Sequence, residues 1–100
     1  MTVRAIVIDK KDNVANLIGP GKKGQPVVCE VAHGAKVTIE LLDDIPPNHK
    51  CAFVDIRKGD AITKYGQNMG RASTDIRKGQ YVHVHNIESN RGRGDLAAKH

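Results

Sequence analysis

The chain has no tryptophan and three aromatic residues, Phe53, Tyr65 and Tyr81, among 100. That is thin for the stacking platforms on which single-strand nucleic-acid binders rely, and it disfavours nucleic acid as a partner. Cysteine is scarce too: Cys29 and Cys51 show no CxxC or CxxH spacing, so neither a disulfide framework nor a cysteine zinc knuckle is indicated, and both thiols are expected reduced and structural. No apolar run approaches the roughly 18 residues of a membrane span. The opening MTVRAIVIDKKD also lacks the long apolar core and small-residue cleavage site of a signal peptide. A cytoplasmic protein without membrane contact is the expectation. One hundred residues suffice for one core and not for two. What is abundant is positive charge, with 16 Lys and Arg against 11 Asp and Glu. The net charge of +5 suits an anionic partner or substrate without choosing among nucleic acid, membrane and sugar acids.

Apolar residues recur at every second position in several short runs, and no stretch sustains a helical period without Gly or Pro interrupting it. The predicted fold class is therefore mostly β, a single small barrel-like or clip-like domain of short bent hairpins with at most a helical turn or two. The clearest strand is Lys36 to Leu42, with Val37, Ile39 and Leu41 on one face. Further strands are expected at Arg4 to Asp9, Pro26 to Val31, Lys50 to Ile56, Ala61 to Tyr65 and Gln80 to Asn86, and a helical turn at Asn13 to Ile18. Turn-formers separate them, among them His33-Gly34, Pro46-Pro47-Asn48, Lys58-Gly59-Asp60 and Lys78-Gly79.

The segment Asp55-Ile56-Arg57-Lys58-Gly59 recurs letter for letter as Asp75-Ile76-Arg77-Lys78-Gly79, with a weaker third copy at Asp44-Ile45-Pro46-Pro47-Asn48. Each reads as an apolar plug, then a turn whose Gly or Asn takes positive φ, then a new strand. The domain is placed at residues 1–87. Residues 88–100 lose the apolar period and carry Arg91-Gly92-Arg93-Gly94-Asp95, a basic tail that is partner-contacting or mobile.

Among candidate sites, Tyr81-Val82-His83-Val84-His85-Asn86 stands out. Strand geometry would put Tyr81, His83 and His85 on one face and Val82 and Val84 on the core face. Paired imidazoles can ligate a divalent metal, transfer protons near neutral pH, or hold a carboxylate when protonated; two solvated surface histidines would show the same spacing. His49-Lys50 follows a proline turn at a loop-to-strand junction. Lys64-Tyr65-Gly66 offers a cation and a phenol at a strand end, able to bind an anion or move a proton. Asp12-Asn13 ends the first strand and could bind a ligand or close an Asx-turn. Gly19-Pro20-Gly21-Lys22-Lys23-Gly24 matches GxGxxG by letter, but a strand follows where a dinucleotide site needs a helix. No Ser/His/Asp or Cys/His nucleophile set and no carboxylate pair for acid–base work stands out.

An ordered series of motifs then resembles a known family. It comprises Asp12-Asn13-Val14, Ile45-Pro46, His49-Lys50, Asp55-Ile56, Lys58-Gly59, Lys64-Tyr65-Gly66, Asp75-Ile76 and His83-Val84-His85-Asn86. It is similar to the SAF (β-clip) domain of the altronate and galactarate dehydratase family, which includes the small subunit of sulfolactate sulfo-lyase. The resemblance implies a small subunit, inactive alone, of a lyase that eliminates water or sulfite from a 2-hydroxy acid. A chain ending at His100 resembles the split form, paired with a large subunit. It implies a divalent metal, iron in the sugar-acid dehydratases, held mainly by that large subunit. By the same resemblance His83, His85 and His49 are catalytic, and His83 and His85 face the metal. Lys64, Tyr65, Asn86, Asp12, Asn13 and Lys50 would bind substrate. The chain departs from the family pattern at Lys10-Lys11, where a His is frequent, at Asn48, where Gly is, and at Phe53-Val54, which replaces Leu-Arg. The alternative reading is a stand-alone basic β module binding an anionic ligand or nucleic acid; a third is a hairpin scaffold that only assembles other subunits.

Overall fold

The computed structural model describes residues 3–89. Nine strands follow in order: β1 (Val3–Val7), β2 (Val14–Ile18), β3 (Pro26–Val31), β4 (Lys36–Glu40), β5 (Lys50–Ala52), β6 (Ala61–Lys64), β7 (Gln67–Ala72), β8 (Tyr81–Val82) and β9 (Ile87–Glu88). A single 3-10 turn at Ala32–Gly34 joins β3 to β4. The mostly β expectation holds. One sheet runs β4-β3-β1-β2-β5-β8 and a smaller one β6-β7-β9. β1 and β3 are parallel, while the other paired strands run antiparallel.

Alternation explains the larger sheet. Val3, Ala5 and Val7 of β1, Val27 and Cys29 of β3 and Leu17 of β2 turn into one apolar cluster, joined by Ile39, Leu41, Ile45 and Cys51. A second cluster, Val14, Ala52, Ile56, Ile62, Ala72, Ile76 and Val82, lies between the two sheets' ends. Full burial of a Leu or Ile in either contributes about 2–3 kcal/mol.

The repeated motif is a pair of interlocked turns. Ile56 and Ile76 bridge each other and are buried. Reciprocally, the Lys58 N–H donates to Asp75 Oδ1 and the Lys78 N–H to Asp55 Oδ1, both at 2.8 Å. The third copy finds a different mate: Ile45 bridges Gly21, and the Lys23 N–H donates to Asp44 Oδ1 at 2.8 Å. The Gly-rich loop is thus the complement of a turn, which accounts for its glycines without a nucleotide.

Several expectations fail for definite reasons. Asn13 to Ile18 is strand β2 and not a helical turn, because it is sandwiched between β1 and β5 with both ladders made. Val37 lies 42% exposed although Ile39 and Leu41 are buried, since β4 is the sheet edge and its start overhangs the core. The strand expected to run to Asn86 stops at Val82, and His83 to Asn86 form a turn closed by the Asn86 N–H on the His83 carbonyl at 3.0 Å. Val84 consequently points to solvent, 79% exposed, and not into the core. β7 was not anticipated: Gln67-Asn68-Met69-Gly70 lacks strand formers, and the Tyr65-Gly66 hairpin turn, both residues at positive φ, forces it back along β6. Glu88, the first residue of the expected tail, is paired in β9 with Arg71; residues 90–100 of that tail lie outside the described residues.

Candidate functional site

The Pro46-Pro47-Asn48 turn closes with Asn48 at φ 66° and delivers His49 to the start of β5. β5 pairs β8 with Lys50 opposite Val82 and Cys51 opposite Tyr81. Extending that ladder by one residue sets His49 opposite His83, and their ring centroids lie 4.7 Å apart. On the other side of β5, Asn16 of β2 is opposite Lys50. Lys64 comes from the end of β6 in the smaller sheet. These side chains, with Asn48, line a cleft of about 100 Å³: Asn16, Asn48, His49, Lys50, Lys64 and His83. No carboxylate lines it.

Tyr81 holds the histidines together. Its hydroxyl is 2.5 Å from His49 Nδ1, which leaves Nε2 as the ring nitrogen of His49 free to meet a ligand. Its ring lies nearly parallel to His83, 6° between planes and 5.5 Å between centroids, and 5.3 Å from His85. Tyr81 itself is fixed through its N–H, which donates to Asp43 Oδ2 at 2.9 Å. Burial lowers the His83 pKa from its ordinary value, helped by the neighbouring His49, Lys50 and His85. Burial likewise lowers that of Lys50, and the charge of Lys64 adds to it. Both shifts have one cause: a half-enclosed pocket with positive neighbours and nothing negative.

The sequence-derived candidates divide into two groups. His49, Lys50, Lys64 and His83 share the cleft; His85 is exposed and does not line it. Tyr65 flanks the cleft, with Lys64 Nζ 4.9 Å above its ring. Asn86, Asp12 and Asn13 are braces. The buried Asn86 amide accepts from the His83 N–H at 3.0 Å and donates to the Tyr81 carbonyl at 2.8 Å, which shapes the turn that carries both histidines. Asp12 accepts from the N–H of Gly66 at 2.8 Å and of Asp9 at 3.1 Å. Asn13 bonds both Ala61 and Thr63, and so ties β6, and with it Lys64, to the large sheet.

The family model of the altronate/galactarate dehydratase SAF domain matches residues 3–90. The chain belongs to this family. Its SAF domain is 41% identical over 85 residues to the altronate dehydratase of Bacillus subtilis (strain 168), covering 85% of this chain and 16% of that protein. The altronate dehydratase of Escherichia coli (strain K12) is 36% identical over 85 residues, again 16% of its length. The (2R)-sulfolactate sulfo-lyase subunit alpha of Chromohalobacter salexigens is 32% identical over 93 residues, 91% of this chain and 99% of that subunit. This SAF domain thus spans about one sixth of the altronate dehydratases and nearly all of the sulfo-lyase subunit.

A metal tests differently from an anion. Among the described residues of the SAF domain no three His, Cys, Asp or Glu side chains come together in a way that could hold a metal ion. His83 and His85, the pair expected to face one, both lie against the Tyr81 ring. Sequence reasoning missed Asn16, Asn48 and Tyr81 as parts of the site. Tyr81 was visible as a face-mate of His83, but its bond to His49 joins residues 32 apart in sequence.

Proposed function

We propose that this chain is the small, SAF-domain component of a lyase that eliminates water or sulfite from a 2-hydroxy acid, with the active site shared with a large subunit. The cleft supports it: two lysines, two histidines and two amides around a small hollow without a carboxylate suit a hydroxylated carboxylate anion. Elimination requires that the acid be held, that a base take the proton made acidic by the carboxylate, and that an acid assist the departing group. Lys50 and Lys64 would hold the carboxylate. Asn16 and Asn48 would accept or donate hydrogen bonds to hydroxyls. His83, whose pKa its surroundings lower, suits proton removal; His49, with Nδ1 taken up by Tyr81, offers Nε2 as the partner for an oxygen. A divalent metal, iron in the sugar-acid dehydratase reading, would supply Lewis acidity from the large subunit, with His83 and His85 as the residues of this chain that would face it. The relative named a subunit alpha supports a multi-subunit assembly. A cytoplasmic location is part of the same proposal; among the described residues no helix is long and apolar enough to cross a membrane.

The test is co-expression of the chain with its large subunit and assay on a panel of hydroxy acids with added iron. His49→Ala and His83→Ala should each lower kcat/KM about 100-fold or more while the complex still assembles. Full activity in both variants would reduce this chain to a scaffold. Failure to recover any large partner, together with duplex or single-strand binding that falls steeply with salt, would favour a stand-alone nucleic-acid module instead.

A further inference from the structure

Three imidazoles lie against the ring of Tyr81, those of His49, His83 and His85, with centroids 5.6, 5.5 and 5.3 Å away. Among the described residues only His49 brings a ring nitrogen within hydrogen-bond reach of the hydroxyl, at 2.5 Å through Nδ1. The backbone that carries the phenol is pinned from three directions. The Tyr81 N–H donates to Asp43 Oδ2 at 2.9 Å, its carbonyl accepts from the Asn86 amide at 2.8 Å, and β8 pairs it with Cys51 of β5. The fold therefore sets the phenol in place independently of its bond to His49.

A phenol has one proton to give, and a neutral imidazole has one nitrogen lone pair to receive it. The imidazole nitrogen is the stronger base of the two, so between neutral partners the Tyr81 O–H donates to His49 Nδ1. No carboxylate lines the cleft to draw that proton elsewhere. With Nδ1 engaged as acceptor, the ring proton of neutral His49 must sit on Nε2, because the bond made by one imidazole nitrogen decides which nitrogen is protonated. Nε2 then meets the cleft with a hydrogen and no lone pair. His83 differs. Its backbone N–H is bonded to Asn86, but its ring nitrogens make no hydrogen bond among the described residues, so a neutral His83 keeps a lone pair that no group of this chain occupies. Resting on the lyase reading above, we infer that Tyr81 is a positioning residue that holds neutral His49 as its Nε2–H tautomer, so that His49 is a hydrogen-bond donor to the ligand oxygen on which charge develops and the role of base falls to His83. An N–H aimed at that oxygen strengthens as the charge grows, so its effect belongs to kcat more than to ground-state binding.

The first experiment records two-bond 1H–15N correlations of the histidine rings in the full isotope-labelled chain at about pH 8.5, well above the ordinary imidazole value. His49 should show a protonated Nε2 and a hydrogen-bonded lone pair on Nδ1, with the Tyr81 hydroxyl proton correlated to Nδ1. A proton on His49 Nδ1 in the wild-type chain overturns the inference with no variant needed. In Tyr81→Phe, checked for folding by its backbone amide spectrum, His49 should become a mixture of both tautomers. A ring that stays wholly Nε2–H in that variant overturns the inference as well, since Tyr81 would not be what sets the tautomer. The second experiment uses the complex with the large subunit and a hydroxy acid that it turns over. Tyr81→Phe should lower kcat about tenfold and leave KM within about twofold. An unchanged kcat, or a rise in KM alone, removes the positioning role even where the tautomer shifts. A wild-type complex that turns over no hydroxy acid sinks the lyase reading by itself, while the ring spectra still decide the tautomer.

Discussion

Val82 and Val84 stand two residues apart, yet the first is fully buried and the second 79% exposed. Val82→Asp places a charge among Ile56, Ile62 and Ile76 and should cost about 3 kcal/mol or more. Val84→Asp should change stability by no more than about 0.5 kcal/mol. Urea denaturation of both variants checks the pair, and equal losses would mean that the strand does continue past Val82. His83 allows a second residue-scale expectation. Its pKa in the folded chain is lowered, so between the ordinary value of 6.5 and its own midpoint the unfolded chain binds more protons than the folded one. The contribution of His83 to stability is therefore intact above pH 6.5 and is lost as pH falls through that window. NMR titration of the His83 ring should give a midpoint below 6.5, which rises on Lys50→Gln and on addition of a bound hydroxy-acid anion.

At the scale of the element, the two copies of the repeat share letters but not surroundings. Gly59 and Gly79 adopt the same backbone, φ 91° and 93°, but a methyl group on Gly59 meets open space while one on Gly79 would run into the backbone of Glu40. Gly59→Ala should cost about 1 kcal/mol, from the left-handed backbone alone. Gly79→Ala should cost at least about 2 kcal/mol more, because β4 must move. Thermal denaturation distinguishes them, and equal losses would show that the second turn does not pack on the edge strand. The turn at His83 to Asn86 is a comparable case. Asn86→Ala removes an acceptor for the His83 N–H and a donor to the Tyr81 carbonyl, and should cost about 2 kcal/mol. It should also shift the His49 and His83 ring resonances, although Asn86 does not line the cleft.

Across the whole molecule, the two cysteines report on the core. Cys29 and Cys51 are free and fully buried, and burial pushes their thiols up to about 11 and about 12. Neither should react with a thiol reagent at pH 8 in the folded chain, and both should react in denaturant. Reaction at the rate of a free thiol under native conditions would contradict the packing of β3 and β5.

The sequence by itself determined the class of fold, the repeat and the residue types that the candidate site draws on. Period-2 alternation in β1, β3 and the end of β4 is a local pattern, and His49, Lys50, Lys64 and His83 carry their chemistry in their residue types. What it could not contain is which segments meet. Two identical pentapeptides interlock with each other while the third pairs with a glycine loop, because the acceptor Asp lies in a distant partner. Val84 leaves the core because the buried Asn86 ends the strand, a choice made by tertiary hydrogen bonds over local alternation. Only the tertiary structure drew Asn16, Asn48 and Tyr81 into the site, since the ladders between β2, β5 and β8 set three distant strands in register. The side chains of Asp12 and Asn13 reach across to Gly66, Ala61 and Thr63, and so tie the β6–β7 hairpin that carries Lys64 to the large sheet.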